Sequence, residues 1–306
     1  MVYFCRQPKI GLALSGGGAR GLAHIGVLKV LEREGIPIDF LAGTSMGGVI
    51  AAAYASGLSA DYIEQEALRM GRLRNLITLL DRTMPRRGLV EGQKVQEYLT
   101  THLGNKTFND MKIPLALVAV DLISGQEVVL NSGSVVDAVR ATVSLPGVFA
   151  PFRLGDYLLV DGGVLNNLPA DVVRRMGADV VIAVNVSAGP NGLSRLLEAE
   201  QQGLALTQFP LIIETLRRTV GIMEEQILAQ KLREADPEVL IHPPLDDSIT
   251  LFNGFPRAEE IIAIGERAAW EAIPRIQETL QTSLLDSSQN KSYESGWWCG
   301  KKNPQK

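Results

Sequence analysis

Apolar residues fall along this chain in two kinds of block. Short, nearly continuous runs occur at 9–14, 38–42, 113–122, 127–130, 157–160, 179–186 and 239–242. Runs this short and dense read as buried strands. Between them the apolar positions space out to a period near 3.6. Leu22, Ile25, Leu28 and Leu31 predict a helix over 22–33, closed by Gly35 and Pro37. A small-residue helix is expected over 46–57, amphipathic ones over 61–80 and 94–103, and shorter ones over 135–142 and 169–176, the last capped by Gly177. Two longer helices follow, over 212–235 and 258–279. The stripe Leu216, Val220, Met223 and Ile227 in the first of them is expected to face the core, with a lid, a partner helix or a lipid-facing surface as the alternatives. Ser124-Gly125 marks a hairpin between the third and fourth runs. Strand and helix alternate from the start of the chain, the signature of an α/β fold with a parallel sheet and helices outside it.

Two stretches break the alternation. The segment 82–92, with Pro85, Gly88 and Gly92, reads as a loop, and 187–209, rich in Gly, Ser and Gln, as a mobile surface segment. One domain over 1–280 suits 306 residues that are 46% apolar. The polar remainder, 281–306, carries the isolated pair Trp297-Trp298 and is expected to be a disordered tail. A net charge of −4 gives no reason to expect nucleic acid. Cys5 and Cys299 form neither a disulfide framework nor a metal cluster, so a reducing, cytoplasmic setting and no bound metal are expected. The first nine residues are too short and broken for a signal peptide, and no run approaches the length of a membrane span.

The candidate chemistry sits at the ends of the first two strands. Gly43-Thr44-Ser45-Met46-Gly47 lies between an apolar run and a small-residue helix. G-x-S-x-G in that setting reads as a nucleophile elbow, with Ser45 on a tight turn and Gly43 and Gly47 where a Cβ would clash. Upstream, Gly16-x-Gly18-x-x-Gly21 follows a strand and opens a helix. That spacing suits a dinucleotide site, although Asp39, the acid at the right distance, stands at the wrong end of its strand. The same glycines can instead offer bare N–H groups as an oxyanion hole, Gly17 and Gly18 best of all. The base is open between His242, in α/β-hydrolase order after Asp161, and Asp161 itself, at a strand end before two glycines. His24 reads as a core histidine and His102 as a surface one.

Three segments resemble the motifs of the patatin-like phospholipases: Ser15-Gly16-Gly17-Gly18-Ala19-Arg20-Gly21, the elbow around Ser45, and Asp161-Gly162-Gly163. Val120-Asp121-Leu122-x-x-Gly125 and the stretch Ala141-Thr142-Val143-Ser144-Leu145-Pro146-Gly147 onward are similar to the bacterial branch related to the neuropathy target esterase catalytic domain. The resemblance runs over about 8–270, with the motifs in the family's order. It implies a three-layer α/β/α fold with a mostly parallel central sheet, and a serine lipid acyl hydrolase of phospholipase A, lysophospholipase or carboxylesterase type. By the same resemblance Ser45 is the nucleophile, Asp161 the proton acceptor, and Gly16, Gly17 and Gly18 the oxyanion loop. Gly21, Gly43, Gly47, Gly162 and Gly163 support the motifs, and Arg20 is either a phosphate contact or part of the helix start. No cofactor is implied. The implied partner is a lipid or fatty-acyl ester, with transient contact at a membrane surface.

Overall fold

The computed structural model describes residues 7–71, 90–187, 211–246, 248–249 and 254–294. Residues 72–80 of the expected helix 61–80, residues 188–209 of the expected mobile segment, most of the loop 82–92 and the end of the tail lie outside them. In chain order the strands are β1 (Ile10–Leu14), β2 (Phe40–Thr44), β3 (Leu115–Asp121), β4 (Gln126–Leu130), β5 (Phe152–Leu154), β6 (Tyr157–Asp161), β7 (Val180–Val184) and β8 (Val239–Ile241). The helices are α1 (Ala23–Arg33), α2 (Met46–Ala55), α3 (Ala60–Met70), α4 (Gln93–Leu103), α5 (Val135–Thr142), α6 (Ala170–Arg175), α7 (Leu211–Ala235) and α8 (Ala258–Glu294). A 3-10 turn, Gly18–Leu22, leads into α1.

The eight strands form one sheet along the path β5-β6-β3-β2-β1-β7-β8, with β4 also paired to β3. Pairs along β3-β2-β1-β7-β8 are parallel; those of β3 with β4, β3 with β6 and β5 with β6 are antiparallel. A strand has two edges, so three partners on β3 require two of them to share one. β4 spans Leu117 to Asp121 and overlaps both other partners. β2 pairs with Leu115 to Val118 and β6 with Ala119 to Asp121, so β2 and β6 share the opposite edge. They approach along it from opposite directions and their last residues meet.

The strand runs alternate large and small residues, and the two sets face different layers. Leu12, Leu14, Leu41, Leu115, Leu117, Ile182 and Val184 join the larger core cluster with residues of α1, α2, α5 and α8. Ala13, Ala42, Ala116, Val118, Val181 and Ala183 face the other way, toward Val172 and Val173 of α6, with Leu228 and Leu232 of α7 against them. This is the expected three-layer arrangement. On the larger face α1 and α8 cross in backbone contact. A Cβ on Gly26 would stand 2.5 Å from the N of Glu266, and one on Gly265 would meet Ala23.

Several expected boundaries move for local reasons. β3 begins at Leu115, not 113, because Pro114 has no N–H for the ladder. β5 was not expected; three residues between Pro151 and Gly155 carry too little pattern, and it forms by pairing with β6. α8 runs on to Glu294 rather than stopping near 279. The polar residues after Thr279 include no Gly or Pro before Gly296, and polarity without a breaker does not end a helix. The middle of the stripe on α7 is not core: Val220 is 48% and Met223 58% exposed. Its period is helical, but this turn lies beyond the point where Leu228 and Leu232 meet the sheet. Among the described residues no helix is long and apolar enough to cross a membrane.

The Gly26–Gly265 crossing leaves no room for a methyl group. Gly26→Ala should lower stability by about 1–3 kcal/mol, the usual cost of overpacking. Urea denaturation measures it, and an unchanged midpoint would contradict the close approach.

Candidate active site

β2 ends at Thr44, and Ser45 bridges it to α2 with φ 52° and ψ −124°. A positive φ on a non-glycine residue costs roughly 1–3 kcal/mol and persists where surrounding structure enforces it. Here the enforcement is visible. The Ser45 N–H donates to Thr142 Oγ1 at 2.9 Å, and the Thr44 hydroxyl donates to the Asn166 carbonyl at 2.8 Å. Below the turn the chain touches itself. A Cβ on Gly43 would stand 2.6 Å from the Gly47 carbonyl, and one on Gly47 would stand 2.5 Å from the Ser15 carbonyl. The two glycines of G-x-S-x-G are therefore steric requirements.

The shared edge of β3 brings in the second group. Thr44 is in register with Val118, and Asp161 with Ala119, the next position. The strand leading to Ser45 and the strand ending in Asp161 are thus aligned by consecutive residues of one template. Thr142 strengthens the junction, since its hydroxyl donates to the Val118 carbonyl while accepting from Ser45. The Asp161 N–H is held by the Ser144 carbonyl at 3.0 Å.

Asp161 is 3% exposed. Its Oδ1 accepts from Gly163 N–H at 2.8 Å, while Oδ2 has no hydrogen-bond partner among the described residues. Burial pushes the carboxyl up to about 6, against the opposing influence of the Ser45 side chain and the Gly163 N–H. Ser45 thus lies close enough to act on the carboxylate charge without a hydrogen bond of standard geometry to Oδ2. Such contacts are often loose before substrate binds. The result is a desolvated carboxylate beside a strained serine.

The glycine loop closes the site. Gly16 N–H donates to the Asn167 carbonyl at 3.0 Å, so this member of the expected oxyanion loop is already engaged and serves to hold the loop. The N–H groups of Gly17 and Gly18 have no acceptor among the described residues, and Gly18 sits at φ 55°. The segment after Asp161 therefore ties all three motifs together. Gly163 braces the carboxylate, Asn166 accepts from Thr44, and Asn167 accepts from Gly16. Gly162 lies against Val118, and Gly21 packs so closely on Met46 that a Cβ would stand 2.5 Å from its Cγ.

Arg20 is structural. It is 4% exposed and donates to the carbonyls of Val186, Asp246 and Ile249 at 2.8, 3.0 and 3.2 Å. These bonds tie the start of α1 to the segments that follow β7 and β8. His24 is buried, contacts the Ser15 carbonyl through Nε2 at 2.8 Å, and is lowered by burial to about 4, so it is neutral. His102 is less exposed than expected, held between Tyr62, Tyr98 and Glu66. His242 is exposed at the end of β8. Three strand spacings, about 14 Å, separate β8 from β2, so a triad through His242 does not form. The dinucleotide reading fails at its acid: Asp39 precedes β2 and accepts from Ile10 N–H at 2.7 Å, at the opposite edge of the sheet.

Residues 12–174, more than half the chain, match the family model described as patatin-like phospholipase. The chain belongs to the patatin-like phospholipase family. An uncharacterized NTE family protein of Mycobacterium tuberculosis is 33% identical over 282 residues, covering 86% of this chain and 46% of the relative. Patatin-like phospholipase domain-containing protein 6 of Mus musculus is 38% identical over 183 residues, covering 58% of this chain and 14% of the relative. A solved structure of human GIVD cytosolic phospholipase A2 with methyl gamma-linolenyl fluorophosphonate aligns with a TM-score of 0.49 at 14% identity, over 92% of this chain and 60% of that one. The resemblance to the NTE-related branch is thus borne out. This patatin-like chain spans about half the length of the mycobacterial relatives it matches, or less.

Three residues near the site carried no signal of their own in the sequence. The pair Asn166-Asn167 acts through backbone carbonyls, which any residue type could supply. Glu224, on α7, has Asp161 as a charged neighbour and is raised by burial and by that neighbour to about 7.

Two expectations follow from the burial of charge. An acid whose folded pKa is raised loses stability as it ionises. For Asp161 the loss develops as pH rises from the unfolded value near 4 to about 6 and persists above, at about 3 kcal/mol. Asp161→Asn should therefore be more stable than the parent at pH 7.5, with the gain fading below about pH 4. Equal midpoints in urea at neutral pH would show that the carboxylate is not desolvated. Arg20→Ala strands several buried carbonyls and should cost about 3 kcal/mol, read by the same denaturation.

Proposed function

We propose that this patatin-like chain is a carboxylic ester hydrolase acting on lipid or fatty-acyl esters through a Ser45–Asp161 dyad. The observation that carries the reading is the buried Asp161 carboxylate, raised to about 6 and with Oδ2 unpartnered among the described residues, aligned with a serine on a strained turn. An ordinary carboxylate, near 3.9, is a weak base at neutral pH. Desolvation brings it toward the working range, and a base near ambient pH is the efficient one.

Asp161 accepts the Ser45 hydroxyl proton as Oγ bonds to the ester carbonyl carbon. Negative charge moves from Asp161 to the carbonyl oxygen, which accepts from the N–H groups of Gly17 and Gly18. The intermediate collapses, the C–O bond to the alcohol breaks, and the alcohol leaves with the proton held by Asp161. Water then yields a proton to Asp161 and attacks the acyl carbon. The fatty acid departs and Ser45 regains its proton. His24, neutral and spent on Ser15, takes no step. A transient contact with a membrane surface suits such a substrate.

A fluorophosphonate should label the parent at Ser45 and leave Ser45→Ala unlabelled. Asp161→Asn should reduce kcat by about a thousandfold or more, and His242→Ala should keep full activity. Because the base works ionised, kcat/KM should fall as pH drops through about 6. Retained activity in Asp161→Asn would remove the dyad.

A further inference from the structure

Glu224 is a titratable group of the site that the dyad chemistry leaves unused. It lies on α7, half-buried and near enough to Asp161 for their charges to interact. The placement is fixed by its own helix. Lys231, two turns further on and on the same face, is ion-paired to Glu127 of β4 at 2.9 Å and to Asp171 of α6 at 3.3 Å. Asp171 also accepts from Asn166 at 2.8 Å, the residue whose carbonyl holds Thr44 beside the nucleophile. That chain of contacts pins one face of α7 to the site, and Glu224 stands on that face.

The charges around it are spoken for. Lys231 and Arg175 are both joined to Glu127 and Asp171, and Arg174 is paired with Glu238. The buried arginines near the loop and elbow are engaged as well. Arg20 holds backbone carbonyls, and Arg140 holds Ser144 Oγ and the carbonyls of Glu91 and Ala150. Among the described residues no cation draws either Asp161 or Glu224 down.

We propose that Glu224 is a specificity-determining residue of this site: its carboxylate turns away acyl esters that carry negative charge near the scissile bond, so that uncharged esters are preferred. The inference rests on the dyad reading above. The chemistry explains why the effect falls on selectivity. When Ser45 attacks, negative charge moves from Asp161 to the oxyanion, and the total beside Glu224 does not change. A neutral ester adds no charge there; an anionic one does. The two carboxyls titrate in order, Asp161 at about 6 while Glu224 is still neutral, then Glu224 at about 7 against the charge on Asp161. Exclusion of anionic substrates should therefore strengthen as pH rises through neutrality.

The test compares monooleoylglycerol with oleoyl lysophosphatidylglycerol, which shares its chain and carries a fixed phosphodiester charge. Each is presented in the same neutral detergent micelles, with kcat/KM measured from about pH 5.5 to 8.5, well to either side of the two titrations. In the parent the preference for the glyceride should grow about tenfold with pH, the equivalent of one pKa unit of charge interaction. In Glu224→Gln it should be flat with pH and about tenfold lower at the alkaline end. Fluorophosphonate labelling of Ser45 in the variant checks that the site is intact. A pH-dependent preference unchanged in Glu224→Gln, or a parent that favours the anionic ester at alkaline pH, would overturn the inference and leave the dyad standing. Absence of any Ser45-dependent hydrolysis in the parent would overturn both.

Discussion

One edge of β3 carries the site. β2 occupies its first half and β6, running the other way, its second half, so that Thr44 and Asp161 sit opposite Val118 and Ala119. Ser45 and Asp161 come from positions far apart in sequence, yet the strands that carry them are held in register by the ladder hydrogen bonds of one strand. A slip of one residue in either pairing would turn the side chain in question to the other face of the sheet. β4 on the opposite edge and the hydroxyl of Thr142 on the Val118 carbonyl make that slip harder.

The site stores two unfavourable features, and the fold around it supplies what holds them. Ser45 keeps a positive φ, and Asp161 keeps a carboxylate away from water. Both are maintained by groups that take no part in acyl transfer: Thr142, Ser144, the carbonyls of Asn166 and Asn167, and the Gly163 N–H. Among the described residues the same arrangement leaves the Gly17 and Gly18 N–H groups without an acceptor while Gly16 is tied down. A loop with all three amides free would have no fixed position. Further out, Lys231 of α7 pairs with Glu127 and Asp171, two turns along the helix from Glu224, whose charge interacts with that of Asp161.

Much of the sheet was legible because a buried strand needs a dense apolar run and a helix needs its own period. The strands β1, β2, β3, β6 and β7 stand where the runs predict them, and the large–small alternation Leu12-Ala13-Leu14 even separates the two faces. β5 was illegible because three residues carry too little pattern. The stripe on α7 misled because period reports that a helix has an apolar side without saying whether anything covers it: Leu228 and Leu232 are covered, Val220 and Met223 are not.

The sequence by itself determined the local chemistry. Gly43 is dictated by a turn too tight for a Cβ, which would meet its near neighbours Gly47 and Gly48. Gly47 is legible in the same motif, although what it meets is the carbonyls of Leu14 and Ser15 at the end of β1. Tertiary structure alone decided which groups meet. Strand order set β8, and His242 with it, three strands from the elbow and β6, with Asp161, at its end. The contacts of Arg20 and the engagement of the Gly16 N–H turned on partners 150 residues or more away, and the presence of Glu224 on a helix 63 residues from Asp161. The physical reason is the same in each case. Desolvation and hydrogen-bond partners are properties of a place in the fold, and a residue acquires them only when distant segments of the chain pack around it.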